Sequence, residues 1–216
     1  MKKFFILCLL SLLILSLGSC TLVKINRFSE FASSNAMDIS ITKYSEDGNI
    51  EITLKYNEEL MIVDMEGMIF TLDFINDLVF LDMDGSKVYA SYNLDDFKST
   101  DDEETNYKDY ISDIKSEEEY LSFELNKNQL LIDQGKKTPE EEPEENVICK
   151  VLFEEKKVST IEVLPLESDQ PDYLVTVNAY GEDVVGLECP SKDDYETDVF
   201  ISLFINVILN GLKEIF

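Results

Sequence analysis

Cys149 and Cys189 are the residues of this chain best placed for covalent chemistry within a folded domain. Cys149 alternates in step with Val147, Val151 and Phe153, and Cys189 with Val185 and Leu187, which points both side chains at a core face. A disulfide between them would close a loop of about 41 residues and stabilise the fold by roughly 4 kcal/mol on the chain-entropy account. Two buried free thiols fit the same pattern. A catalytic thiol does not, because no histidine exists and no basic cluster lies nearby to hold a thiolate.

The other candidate groups are carboxylates. Asp82-Met83-Asp84-Gly85-Ser86 has the opening of a calcium loop, but it lacks the later bidentate glutamate, and strands flank it where helices should. A hairpin turn accounts for it, so no metal ligand is assigned. Asp101-Asp102-Glu103-Glu104 reads as a solvated loop with at most weak affinity for cations. The absence of histidine removes Ser-His-Asp and Cys-His catalysis, imidazole zinc sites and the usual general base near neutral pH. No phosphate-cradling glycine loop or G-x-S-x-G elbow occurs. We therefore expect no enzyme, no catalytic residue and no cofactor. A carboxylate-based hydrolase is the least favoured reading, since paired acids are always available in so acidic a chain.

The N-terminus carries a different chemistry. Lys2-Lys3 precede an apolar run from Phe4 to Leu17, and Leu17-Gly18-Ser19 leads directly into Cys20. A charged start, an apolar centre and small residues at the cut are the layout of a secretory signal. Leu17, Gly18, Ser19 and Cys20 together resemble the lipobox of bacterial lipoproteins. The resemblance covers residues 1–20 only. It implies that residues 1–19 are removed and that Cys20 becomes an acylated N-terminus in the cell envelope, facing the periplasm or the cell exterior. The apolar run is shorter than the roughly 20 residues of a spanning helix, so an anchored chain is expected, not a spanning one.

Charge narrows the partners. The net charge of −27 becomes −29 once Lys2 and Lys3 leave with the signal. Nucleic acid and anionic headgroups would both be repelled. A basic protein surface, cations, or a neutral ligand held by burial remain.

These groups need elements to hold them. Residues 21–36 lack a clear period and read as a lipidated tether, residues 20–36. Ile39 and Ile41, then Ile50, Ile52, Leu54 and Tyr56, alternate as strands around the turn Ser45-Glu46-Asp47-Gly48-Asn49. Leu60–Met65, Met68–Phe74, Leu78–Met83 and Lys87–Tyr92 continue the meander. Tyr107, Tyr110, Ile111 and Ile114 stand at helical spacing and predict a short helix between Asn106 and Lys115. Leu121–Leu125 and Leu130–Ile132 read as strands about the turn Asn126-Lys127-Asn128. Val147–Phe153 with Val158–Leu164, and Tyr173–Tyr180 with Val184–Cys189, read as two further hairpins. Residues 95–106 and 136–146 are acidic loops. From residue 193 to 216 a helix is expected, capped by Ser191 and apolar in every direction but the stripe Asp198, Ser202, Asn206 and Asn210.

The expected fold is therefore mainly β (α+β), an antiparallel curved sheet of roughly ten to twelve short strands around a buried C-terminal helix, in one domain over 37–216. The expected role is binding or structural work through an acidic face to a basic protein or cations. The alternative is a carrier that holds a small apolar ligand between sheet and helix.

Overall fold

The computed structural model describes residues 21–46, 48–92, 110–133, 138, 143 and 145–197. Twelve strands make one sheet. They are β1 (Met37–Lys43), β2 (Ile50–Tyr56), β3 (Leu60–Met65), β4 (Met68–Asp73), β5 (Leu78–Met83) and β6 (Ser86–Ser91), then β7 (Ile111–Ser116), β8 (Tyr120–Leu125), β9 (Val147–Glu154), β10 (Lys157–Pro165), β11 (Tyr173–Tyr180) and β12 (Glu196–Thr197). Their order is β12-β6-β5-β4-β3-β2-β1-β11-β10-β9-β8-β7. Two antiparallel meanders thus run outward from a shared seam, where β1 pairs with β11. Only β12, beside β6, is parallel to its neighbour. The mainly β, antiparallel class read from the alternating stretches is the observed one.

The hairpins are set by their turns. Glu66-Gly67, Asp84-Gly85 and Glu155-Lys156 each place two successive residues at positive φ, the geometry whose twist matches paired strands. Asp64 reinforces the first by accepting a hydrogen bond from the Gly67 amide at 3.0 Å. A sheet this wide curls rather than staying flat. Register shifts at Asp38/Ile39, Val158/Thr160 and Ser112/Lys115 mark bulges, which add local twist.

Five segments differ from the sequence reading. Residues 21–32, read as tether, form helix α1. Ile25, Phe28 and Phe31 pack from it onto the sheet, at a spacing of three that an irregular tether would not keep. The helix expected between Asn106 and Lys115 is contradicted in its described part, where Ile111–Ser116 is strand β7. Asp113 sits at φ 50° within the bulge, and the extra residue sets Ile111 and Ile114 three apart, imitating a helical period. Leu130–Ile132 lies in helix α2 (Lys127–Asp133) instead of a strand. Asn126 starts it, its Oδ1 accepting from the Gln129 amide at 3.0 Å. Val184–Cys189 forms no hairpin with β11, because β1 and β10 already occupy both sides of that strand.

The C-terminal helix does not begin at residue 193. Ser191 does act as a cap, accepting from the Asp193 amide at 3.3 Å, but it caps a single 3-10 turn, Lys192–Asp194, before β12. The remainder of the expected helix, residues 198–216, lies outside the described residues. So do the loop 95–106 and most of 136–146.

Candidate functional site

Strand pairing gathers one side chain from every second position onto a single face. Val88, Leu81, Phe70, Val63, Leu54, Ile39 and Val177 stand opposite one another in a row from β6 to β11. The neighbouring row carries on through Ile41, Val175, Ile161, Val151 and Leu121. The inner face is therefore apolar from β6 to β8. Phe70, Val63, Val151 and Leu121 are each at most 2% exposed. Its two clusters share Met37 and Val177 at the seam and form a continuous core.

Helix α1 covers part of this face. Phe28 lies 5.4 Å from Phe123 of β8, and Phe31 meets the Tyr180 ring edge-on at 5.4 Å. At the helix start, Lys24 donates to the backbone carbonyls of Glu117, Glu118 and Tyr120, at the turn between β7 and β8. At its far end, the Gly181 amide donates to the Ala36 carbonyl at 2.9 Å.

Burial fails at one rim of the face. Ile50, Met65, Met68 and Met83, flanked by Glu66, Gly67 and Asp84, line an open cleft of about 310 Å³. Ile50 is 42% exposed and Met65 37%. Methionine thioethers are flexible and polarisable, so such a rim can fit itself around apolar molecules of varied shape. No alternation signal marks this as a site. It arises because the turns Glu66-Gly67 and Asp84-Gly85 bring three methionines from separate strands to the same edge. A second cleft of about 370 Å³, lined by Lys127, Asn146, Val147, Pro165 and Asp172 among others, is more polar.

The outer face is polar over most of its width. Asp38 pairs with Lys55 at 3.2 Å, Asp82 with Lys87 at 3.3 Å and Glu162 with Lys150 at 3.4 Å. Over β4–β6 it is covered by the chain from Cys189 to Thr197. Tyr195 packs edge-on to Phe80 at 5.1 Å, and Lys192 lies over the Tyr89 ring. Beneath this strap sits Asp73, 2% exposed, which accepts from the amides of Ile75 and Asn76 and from the Asn76 side chain. The Cys189 thiol also donates to it, at 3.2 Å. Burial alone would raise the Asp73 pKa. The hydrogen bonds from Asn76, Cys189 and Ile75 outweigh it, and the carboxyl lies below its ordinary value.

The sequence-assigned residues fall apart in space. Cys149 points into the core between Phe123 and Val163, and burial pushes its thiol up to about 11. Cys189 is exposed, against the parity reading, and belongs to the strap. Both are free thiols, and the structure does not bring them together. Asp82 lies in β5 and Asp84 opens the hairpin turn that follows, as expected. Among the described residues no group of three cysteine or carboxylate side chains converges as a metal site would require. Cys20 and Asp101-Asp102-Glu103-Glu104 lie outside the described residues. Among the described residues no helix is long and apolar enough to cross a membrane.

No family model matches this chain, and no curated protein does. Among solved structures it is similar to the Mycobacterium tuberculosis lipoprotein LppX, at 6% identity and a TM-score of 0.46 over 79% of this chain and 99% of that one. It is also similar to LprF from Mycobacterium bovis, at 7% identity and a TM-score of 0.43 over 81% and 97% respectively. Likeness at this level transfers no residue and no activity.

Proposed function

We propose that the chain is an exported envelope protein, anchored by lipid on Cys20, that carries a small apolar ligand at the methionine-lined rim of its sheet. The observation that carries the reading is the exposed end, among the described residues, of an otherwise buried apolar face. Ile50 and Met65 stay open to solvent there while Val63 and Phe70 on the same face are 2% exposed. A cleft of about 310 Å³ is at the small end of ligand pockets.

This reverses the preference drawn from composition. An acidic face offered to a basic partner needs carboxylates without nearby cations, whereas Asp38, Asp82 and Glu162 on the described outer face each have a lysine within 3.4 Å. The acidic-partner reading then rests on other carboxylates, among them the turn Glu117-Glu118-Glu119 and the acidic stretches 95–106 and 136–146.

The test is native mass spectrometry of residues 21–216 made in an oxidising compartment. A reproducible added mass that organic solvent removes is the expected result. A protein that is empty after every preparation, and that takes up no fatty acid or neutral lipid in solution, would overturn the carrier reading.

A further inference from the structure

Helix α1 and the methionine cleft sit at opposite ends of the sheet. Register places the turns 57–59, 74–77, 117–119 and 155–156 at one end, and the turns 44–49, 66–67 and 84–85 at the other. Helix α1 is tied at both its ends to the first end. Lys24 holds its start at the turn 117–119, and the chain just beyond its last turn is tied to Gly181, after β11. Twelve helical residues span about 18 Å, which matches the four strand spacings, about 19 Å, from β8 to β1. The helix is thus laid across the strands at that end. The cleft of Ile50, Met65, Met68 and Met83 belongs to the other end.

Cys20 is one residue from the first described helical residue, Thr21. A lipid on it, which is part of the function proposed above, would leave no free tether between membrane and fold. Leu22 and Val23, 59% and 42% exposed, stand beside the attachment point as the first apolar contacts available to a bilayer. Glu117, Glu118 and Glu119 at the same end oppose anionic headgroups, so the surface fits a zwitterionic leaflet.

We infer that the molecule docks on its anchoring leaflet by the α1 and β7–β8 end, with the methionine cleft facing away from that membrane. A strand of six residues rises about 20 Å, so the cleft mouth stands roughly that far from the headgroups. The ligand would then be exchanged with whatever faces the opposite end, and not directly with the anchoring bilayer.

Fluorescence quenching on the full lipidated protein tests this. Glu118→Cys at the membrane end and Glu46→Cys at the cleft end each receive a dye, in a Cys189→Ser background that keeps a donor for Asp73. The proteins are placed in phosphatidylcholine vesicles containing a lipid with a quencher on its headgroup. Quenching severalfold stronger at position 118 than at 46 is expected. Ten Gly/Ser residues inserted between Thr21 and Leu22, with a reach of about 17 Å, should remove most of that contrast. Equal quenching at the two positions, or a contrast the linker leaves unchanged, would overturn the inference. Loss of the acyl mass on Cys20 would remove the anchor and the inference with it. Ligand uptake by residues 21–216 is read separately, so the two failures are distinguishable.

Discussion

Asp73 shows how a buried charge in this protein is held by hydrogen bonds from its own turn and from the strap. Its carboxylate accepts from Ile75, Asn76 and Cys189, closing the turn between β4 and β5 and holding the strap that ends in β12. Hydrogen bonds to a charged group are each worth about 1.5–3 kcal/mol, and their donors are left unsatisfied if the acceptor goes. Asp73→Ala should therefore lower stability by about 2–4 kcal/mol in a denaturant titration. The pH dependence follows from the lowered carboxyl pKa. Stability from Asp73 is complete above its unfolded value, near 4, and is lost as pH falls through the lower folded value. Asp73→Asn should flatten that acid limb, and an unchanged limb would show that other carboxylates govern it. The same contact affects Cys189. Partial burial of the sulfur and the Asp73 charge raise its thiol pKa to about 11. Iodoacetamide should react slowly with Cys189 at neutral pH although the residue is exposed, and faster in Asp73→Asn.

At the scale of elements, alternation was legible wherever a strand has one wet and one dry face. The hairpin of β1 and β2 shows this, whereas β5, buried on both faces at Leu78–Leu81, reads as a short apolar run between turns. Two kinds of element were not legible. The bulge in β7 gave two isoleucines a helical spacing, and only pairing with β8 identifies it as strand. Helix α1 is short and charged at Lys24, Arg27 and Glu30, and its apolar residues make sense only once the β8–β11 face is there to receive them. That difference is measurable. Phe31 is 7% exposed, and truncating a buried phenylalanine costs about 3–5 kcal/mol. Phe31→Ala should lose stability on that scale, whereas a true tether residue would change it by no more than about 0.5 kcal/mol.

At the scale of the whole molecule, the seam between β1 and β11 decides the architecture, and nothing local in Met37–Lys43 announces a partner so distant in the chain. Closing that seam joins two meanders into one apolar surface, and the proposed ligand site is the part of that surface left exposed at the Met65 rim. The cleft was illegible in the sequence for the same reason, since Ile50, Met65, Met68 and Met83 come from four strands. Binding there should feed back on global stability. A ligand that binds only the folded state adds about 2.7 kcal/mol when its free concentration is a hundred times its dissociation constant. Met65 is partly exposed, so Met65→Lys should leave the fold intact while placing a hydrated ammonium where an apolar ligand would lie. Withdrawing roughly 1.4 kcal/mol of contact corresponds to tenfold weaker binding. The apolar extract recovered from the native protein should therefore raise the denaturation midpoint of the unmodified chain clearly and that of Met65→Lys far less. Equal stabilisation of both would move the ligand away from this rim.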